Sequence, residues 1–225
     1  AYRAQREFEL ARASYQEALR LRPSNPMIQV ALAQLTLATG QVQEAKQLAQ
    51  GALTTAPTAP IARLTMARTA LASGDLGRAQ TELDSLIKDF PKAAQVVALQ
   101  GALLLAKKDM AGAERAYKQA EALDPESLDA AAGLTALDMN AKRAPAARAR
   151  IERLLTSQPK NVDVLLLAGR TYAMMNDLPA AEGALKRAVE SDSARAEPYA
   201  LLAQVYLSQS KLDEALKEFQ TLDQK

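Results

Sequence analysis

Apolar residues along this chain fall in helical blocks rather than in strict alternation. The stretch 101–125, GALLLAKKDMAGAERAYKQAEALDP, shows the pattern. A small residue opens an apolar run, and a short polar break follows. Beyond the break come an alanine, an aromatic four residues later, a second alanine three after that, and a closing proline. This predicts two helices separated by a turn, the second ended by Pro125. The same arrangement recurs. Ala11, Ala45, Ala79, Ala113, Ala147, Ala181 and Ala215 are spaced 34 residues apart, and Pro23, Pro57, Pro91, Pro125 and Pro159 keep the same interval. Two registers sharing one period identify an internal repeat, in which each unit buries its apolar face only by stacking on its neighbours.

Numbering each unit so that Ala113 is position 20 and Pro125 position 32 brings further columns into line. Position 8 is small or nearly so: Ala33, Ala67, Gly101, Thr135, Gly169 and Ala203. Position 24 is mostly large and apolar: Tyr15, Ala49, Leu83, Tyr117, Ile151, Leu185 and Phe219. With position 7 mostly Leu or Met and position 27 Ala or Leu, the motif resembles the tetratricopeptide repeat, a helix–turn–helix of 34 residues, over essentially the whole chain. The resemblance implies an all-α fold, a right-handed solenoid of antiparallel helix pairs. The units would be a partial repeat at 1–25, full repeats at 26–59, 60–93, 94–127, 128–161 and 162–195, and a nearly complete one at 196–225.

Local chemistry supports these boundaries. Pro26 and Pro60 sit in the first turn of their helices, where a missing N–H costs nothing, as do Pro145 and Pro179 in second helices. Ser24 and Asn25 provide cap chemistry before Pro26. The turn at position 15 calls for a left-handed residue, which Gly40 and Gly74 supply. Arg6, Lys108, Lys142, Asn176 and Ser210 occupy the same position in the other units and should make them softer. Tyr2 falls at position 11, so the chain reads as opening inside a first helix, part of a longer array.

Composition narrows the function. The 28 basic and 26 acidic residues nearly cancel, and aromatics make up 4%, which argues against nucleic acid as a partner. The most apolar stretch, 96–106, is too short for a transmembrane segment. With no Cys and no His, thiolate chemistry, disulfides and the commonest metal ligand are excluded. The carboxylates Asp75, Asp84, Asp109, Asp124 and Asp213 fall on polar faces and loops, and no phosphate-cradling glycine loop is present. We expect no catalytic residues, no metal and no cofactor.

The resemblance places the first helices along a concave groove, faced by positions 2, 5, 9, 12 and 13. Position 5 then contributes Val30, Leu64, Ala98, Ala132, Leu166 and Ala200, and position 9 contributes Gln34, Arg68, Ala102, Ala136, Arg170 and Gln204. Asn140 adds a polar group at position 13, and position 2 turns acidic at Asp129, Asp163 and Glu197. The implied groove has a small-residue centre bracketed by Arg68 and Arg170, and would hold a peptide or helix of a partner protein. The competing reading is that the alanines only permit tight curvature and the arginines pair with neighbouring carboxylates. The lysine and asparagine that clamp chaperone tails in some members of the family are absent from positions 5 and 9. A second basic stretch, Lys142, Arg143, Arg148, Arg150 and Arg153, reads as a solvated helix face or as a site for an acidic partner or anionic lipid headgroups.

The expected function is a non-catalytic protein-binding scaffold. The alternative is an assembly or recruiting arm of a larger protein, resembling glycosyltransferase-linked arrays or bacterial envelope components of polysaccharide export. Self-association through apolar array ends is a further expectation. The alanine column carries a direct test. Ala113→Leu should overpack the helix crossing and cost roughly 1–3 kcal/mol, and a thermal melt identical to the parent's would show that the register is misplaced.

Overall fold

The turns set the architecture. In a computed structural model that describes residues 2–223, with side chains from 8 to 221, six turns share one geometry. Gly40 and Gly74 have φ of 78° and 77°, and Lys108, Lys142, Asn176 and Ser210 have φ of 58–66°. At each turn the next amide bonds back to a carbonyl five residues earlier, as Gln41 N does to Thr36 O (2.8 Å) and Asp109 N to Leu104 O (2.9 Å). This closes the first helix with its last carbonyls satisfied and reverses the chain. A Cβ added to Gly40 or Gly74 would meet nothing within 4 Å, so these glycines supply backbone conformation rather than space.

Thirteen helices result among the described residues: α1 (Tyr2–Leu21), α2 (Pro26–Ala38), α3 (Val42–Thr55), α4 (Pro60–Ala72), α5 (Leu76–Asp89), α6 (Ala94–Ala106), α7 (Met110–Leu123), α8 (Leu128–Asn140), α9 (Ala144–Ser157), α10 (Val162–Met174), α11 (Leu178–Ser191), α12 (Ala196–Ser208) and α13 (Leu212–Asp223). No strand occurs among the described residues. The chain is an all-α helical solenoid, as the 34-residue period implies. One local expectation fails. Residues 2–21 form a single helix, and no turn is made at Arg6. Arg6 instead continues the backbone ladder of α1, which spares a non-glycine residue the left-handed conformation.

Helix starts follow the cap chemistry. The Asn25 side chain accepts from the amides of Met27 (3.0 Å) and Ile28 (3.2 Å). Asn161 does the same for α10, and Asp75, Asp109 and Asp177 accept from the amides of Arg78, Gly112 and Ala180. Three of the carboxylates on the polar faces and turns are thus helix caps.

The chain divides into two units, Phe8–Ala130 and Ala131–Lys225 with Ala1–Glu7, each with its own core. In Phe8–Ala130, α3 and α5 each pack against the first helices on either side, α7 packs against α6, and neighbouring first helices touch. In the other unit, α10, α11, α12 and α13 pack in the same order. Ala45, Ala79, Ala113, Ala147 and Ala181 have no exposed surface. Positions 8 and 24 interlock. A Cβ on Gly101 would lie 2.8 Å from the Tyr117 ring, and one on Gly169 would lie 2.6 Å from Leu185. Each of these large side chains occupies room that glycine vacates.

Ion pairs tie consecutive repeats together along the second helices. Lys46 Nζ lies 2.8 Å from Asp75 Oδ2 in one unit. In the other, Arg148 pairs with Asp177, and Lys211 Nζ lies 3.0 Å from Glu182 Oε2, with the signs exchanged.

The non-glycine turns should be softer for a reason that can be measured. Lys108→Gly should relieve about 1 kcal/mol of left-handed strain and raise Tm by about 2–4 °C. A lower Tm would show that the Lys108 side chain contributes more than its backbone costs.

Candidate functional site

The solvent-facing side of the first helices is built from positions that the core does not use. In Phe8–Ala130, position 5 turns inward, with Leu64 and Ala98 buried at 5% and 1% exposure. Gln34 is exposed, its amide nitrogen 3.4 Å from the Thr65 hydroxyl of the next first helix. Arg68 is half-buried and its Nη2 lies 3.2 Å from Asp129 Oδ2, a carboxylate 61 residues further on. The repeat lying between them in sequence offers only the half-buried methyl of Ala102 at position 9, too short to block that reach. Asp129 also bears on the buried Tyr117, whose phenol is pushed up to about 12, chiefly by burial.

In the other unit, Ala132 is half-buried, while Ala136 and Asn140 are exposed on the same face of α8. Leu166 is buried at 3% exposure and belongs to the core. Arg170 and Gln204 are exposed. Arg170 pairs with Glu197, which lies 2.8 Å from Arg195, and Arg195 in turn is 2.6 Å from Asp163. Four charges of alternating sign thus run across α10, the turn after α11 and the start of α12. Both bracketing arginines are held by carboxylates from another repeat. Of the residues expected to face a ligand, Leu64, Ala98 and Leu166 sit beneath the surface. Gln34, Arg68, Ala102, Ala132, Ala136, Asn140, Arg170 and Gln204 reach it.

The basic stretch resolves into ion pairs. Asp138, buried at 5% exposure, lies 2.7 Å from both Arg143 Nε and Arg150 Nη1. Arg148 pairs with Asp177 and stacks over the Tyr172 ring at 5.1 Å. Sequence reasoning missed Asp138. The signal was an acid at position 11, where the other units from Thr36 on carry Thr, Ala, Leu or Tyr. An acid placed there needs cations close by, and the basic stretch from Lys142 to Arg153 is the nearest in sequence.

Among the described residues, no group of acidic side chains is arranged to hold a metal ion. No described helix is long and apolar enough to cross a membrane.

Comparison with known proteins decides the family. One tetratricopeptide repeat model matches residues 36–103 and 104–168, and a second matches 1–60 and 168–225. The chain belongs to the tetratricopeptide repeat family. Its fold is that of a protein–protein interaction scaffold, and repeats of this family are generally non-catalytic. A comparison with curated proteins gives no match.

Solved structures of similar fold include a tetratricopeptide repeat protein from Parabacteroides merdae. It has 17% identity and a TM-score of 0.64, over 98% of this chain and 88% of that one. PilW, a widely conserved type IV pilus biogenesis factor, has 18% identity and a TM-score of 0.63, over 89% of this chain and 93% of its own. The Cut9–Hcn1 hetero-tetramer of the APC/C has 15% identity and a TM-score of 0.66. That match spans 98% of this chain but 43% of the other. At these identities the likeness is one of fold.

The Asp138 cluster yields a stability prediction. Asp138→Ala removes the buried carboxylate that Arg143 and the 12% exposed Arg150 share, at a cost of about 3 kcal/mol. Chemical denaturation would read this as a lower midpoint. An unchanged midpoint would show that the two arginines are held well enough without Asp138.

Proposed function

We propose that this tetratricopeptide repeat array is a non-catalytic scaffold that binds a peptide or helix of a partner protein along the exposed face of its first helices. The observation that carries this reading is the state of the two arginines. Arg68 and Arg170 keep 37% and 53% of their side chains exposed while each is anchored by one carboxylate. A guanidinium has five donors in a fixed plane, and one carboxylate leaves some of them for a second acceptor. An arginine already held in place loses little freedom when a ligand arrives, so more of the contact energy appears as affinity. On the first helices the half-buried methyls of Ala102 and Ala132 and the exposed methyl of Ala136 offer low apolar relief on which a backbone can lie.

The test is selection from a displayed peptide library on the full chain, followed by titration of the selected peptides against Arg68→Glu and Arg170→Glu. Each reversal places like charges together, with Asp129 or Glu197, and should weaken binding by roughly tenfold or more, about 1.4 kcal/mol, with helical content retained. Peptides that bind parent and both variants equally would place the interaction elsewhere.

A further inference from the structure

Between α10, α11 and α12 lies an open cleft of about 350 Å³. Its floor is apolar, made by Gly169, Ala173, Leu185, Leu201 and Val205, and Arg170 and Gln204 stand at its rim. The cleft has a specific cause. Position 12 of the first helix is Leu37, Leu71, Leu105, Met139 and Leu207 in the other repeats, and Ala173 here. One unit has lost the aliphatic side chain that every other full or nearly complete unit carries at this place. At Gly169 the room left by the missing Cβ is filled by Leu185, which forms part of the cleft's lining. A volume of this size accommodates one aliphatic side chain with part of its backbone, the lower end of the range for ligand sites. Of the residues lining the cleft, Arg170 alone carries charge.

We propose that this cleft is a specificity pocket. It receives a leucine or methionine side chain of the partner polypeptide, with an acidic residue beside it to meet Arg170. The proposal rests on the reading that the first-helix face binds peptides, and it names the chemistry recognised in one repeat. The ligand's side chain replaces the Leu or Met that position 12 lacks, lying over the apolar lining beside the exposed Met174. Glu197 holds one amine of the Arg170 guanidinium, and the remaining donors face the ligand's carboxylate. The Gln204 amide, also in the lining, takes the ligand's backbone. A basic neighbour on the ligand would meet the guanidinium at close range and be rejected, so the pocket selects on shape and on charge together.

The probes are three capped dipeptides, N-acetyl-Leu-Asp-amide, N-acetyl-Ala-Asp-amide and N-acetyl-Leu-Lys-amide. Each is titrated into the isotope-labelled full chain and followed by amide and methyl chemical shifts. The Leu-Asp probe should give saturable shifts centred on Gly169, Ala173, Leu185 and Val205, with affinity roughly tenfold above the Ala-Asp probe. Ala173→Leu, which restores the side chain found in the other repeats, should abolish those shifts while leaving Tm unchanged or higher. Arg170→Gln should remove the preference for Asp over Lys yet keep the preference for Leu over Ala. Saturable shifts that persist in Ala173→Leu, shifts scattered over the whole surface, or no saturable shift would each overturn the pocket. Library-selected peptides that lose affinity on arginine reversal but bind Ala173→Leu like the parent would also overturn it, while leaving the broader scaffold reading intact.

Discussion

Everything in this molecule depends on how closely two helices can approach. At the crossing within each pair the second helix presents an alanine, and where position 24 is large the first helix presents a residue small enough to admit it. Ala113, Gly101 and Tyr117 form one such crossing; Ala181, Gly169 and Leu185 form another. Because protein interiors are packed as densely as organic crystals, a spare methylene here has nowhere to go. The spacing is therefore fixed by what is absent. The turn follows from it, since the closing amide can reach its carbonyl only if position 15 is left-handed, and four residues other than glycine accept that conformation.

The architecture was legible in the sequence because these constraints are local and recur. A crossing that tolerates only alanine leaves a column of alanines, and a turn that needs a capped amide leaves Asn25, Asp75, Asp109, Asn161 and Asp177 at the helix starts. The exception is instructive. Arg6 occupies a turn position by count, yet residues 2–21 run as one helix. Counting within the repeat marks where a turn can fall, but not that the backbone makes it there.

The binding face was legible only in part. Position 9 could be identified as exposed, but Leu64, Ala98 and Leu166 lie a layer deeper than the family pattern placed them. The pairing of Arg68 with Asp129 spans 61 residues and passes over a repeat, so no local rule connects the two. Asp138 stood in the sequence as a polar interruption of an apolar run, and its partners became identifiable only once α9 was folded against it. The alternation of Asp163, Arg195, Glu197 and Arg170 likewise arises from side chains of three different segments.

The ion pairs along the second helices carry a consequence for how such an array can evolve. Arg148 meets Asp177 at one junction, and at the next Glu182 meets Lys211, with the signs reversed. The junctions are therefore keyed, like tumblers cut differently in one lock. Excising the 34 residues of the intervening repeat would keep the helical register and the alanine column intact. It would also bring Arg148 against Lys211, two cations where each formerly had an anion. An array of this kind lengthens by copying a unit, but once its junctions have diverged in charge its units are no longer interchangeable. The order of the repeats then becomes heritable information in its own right, as distinct from their number.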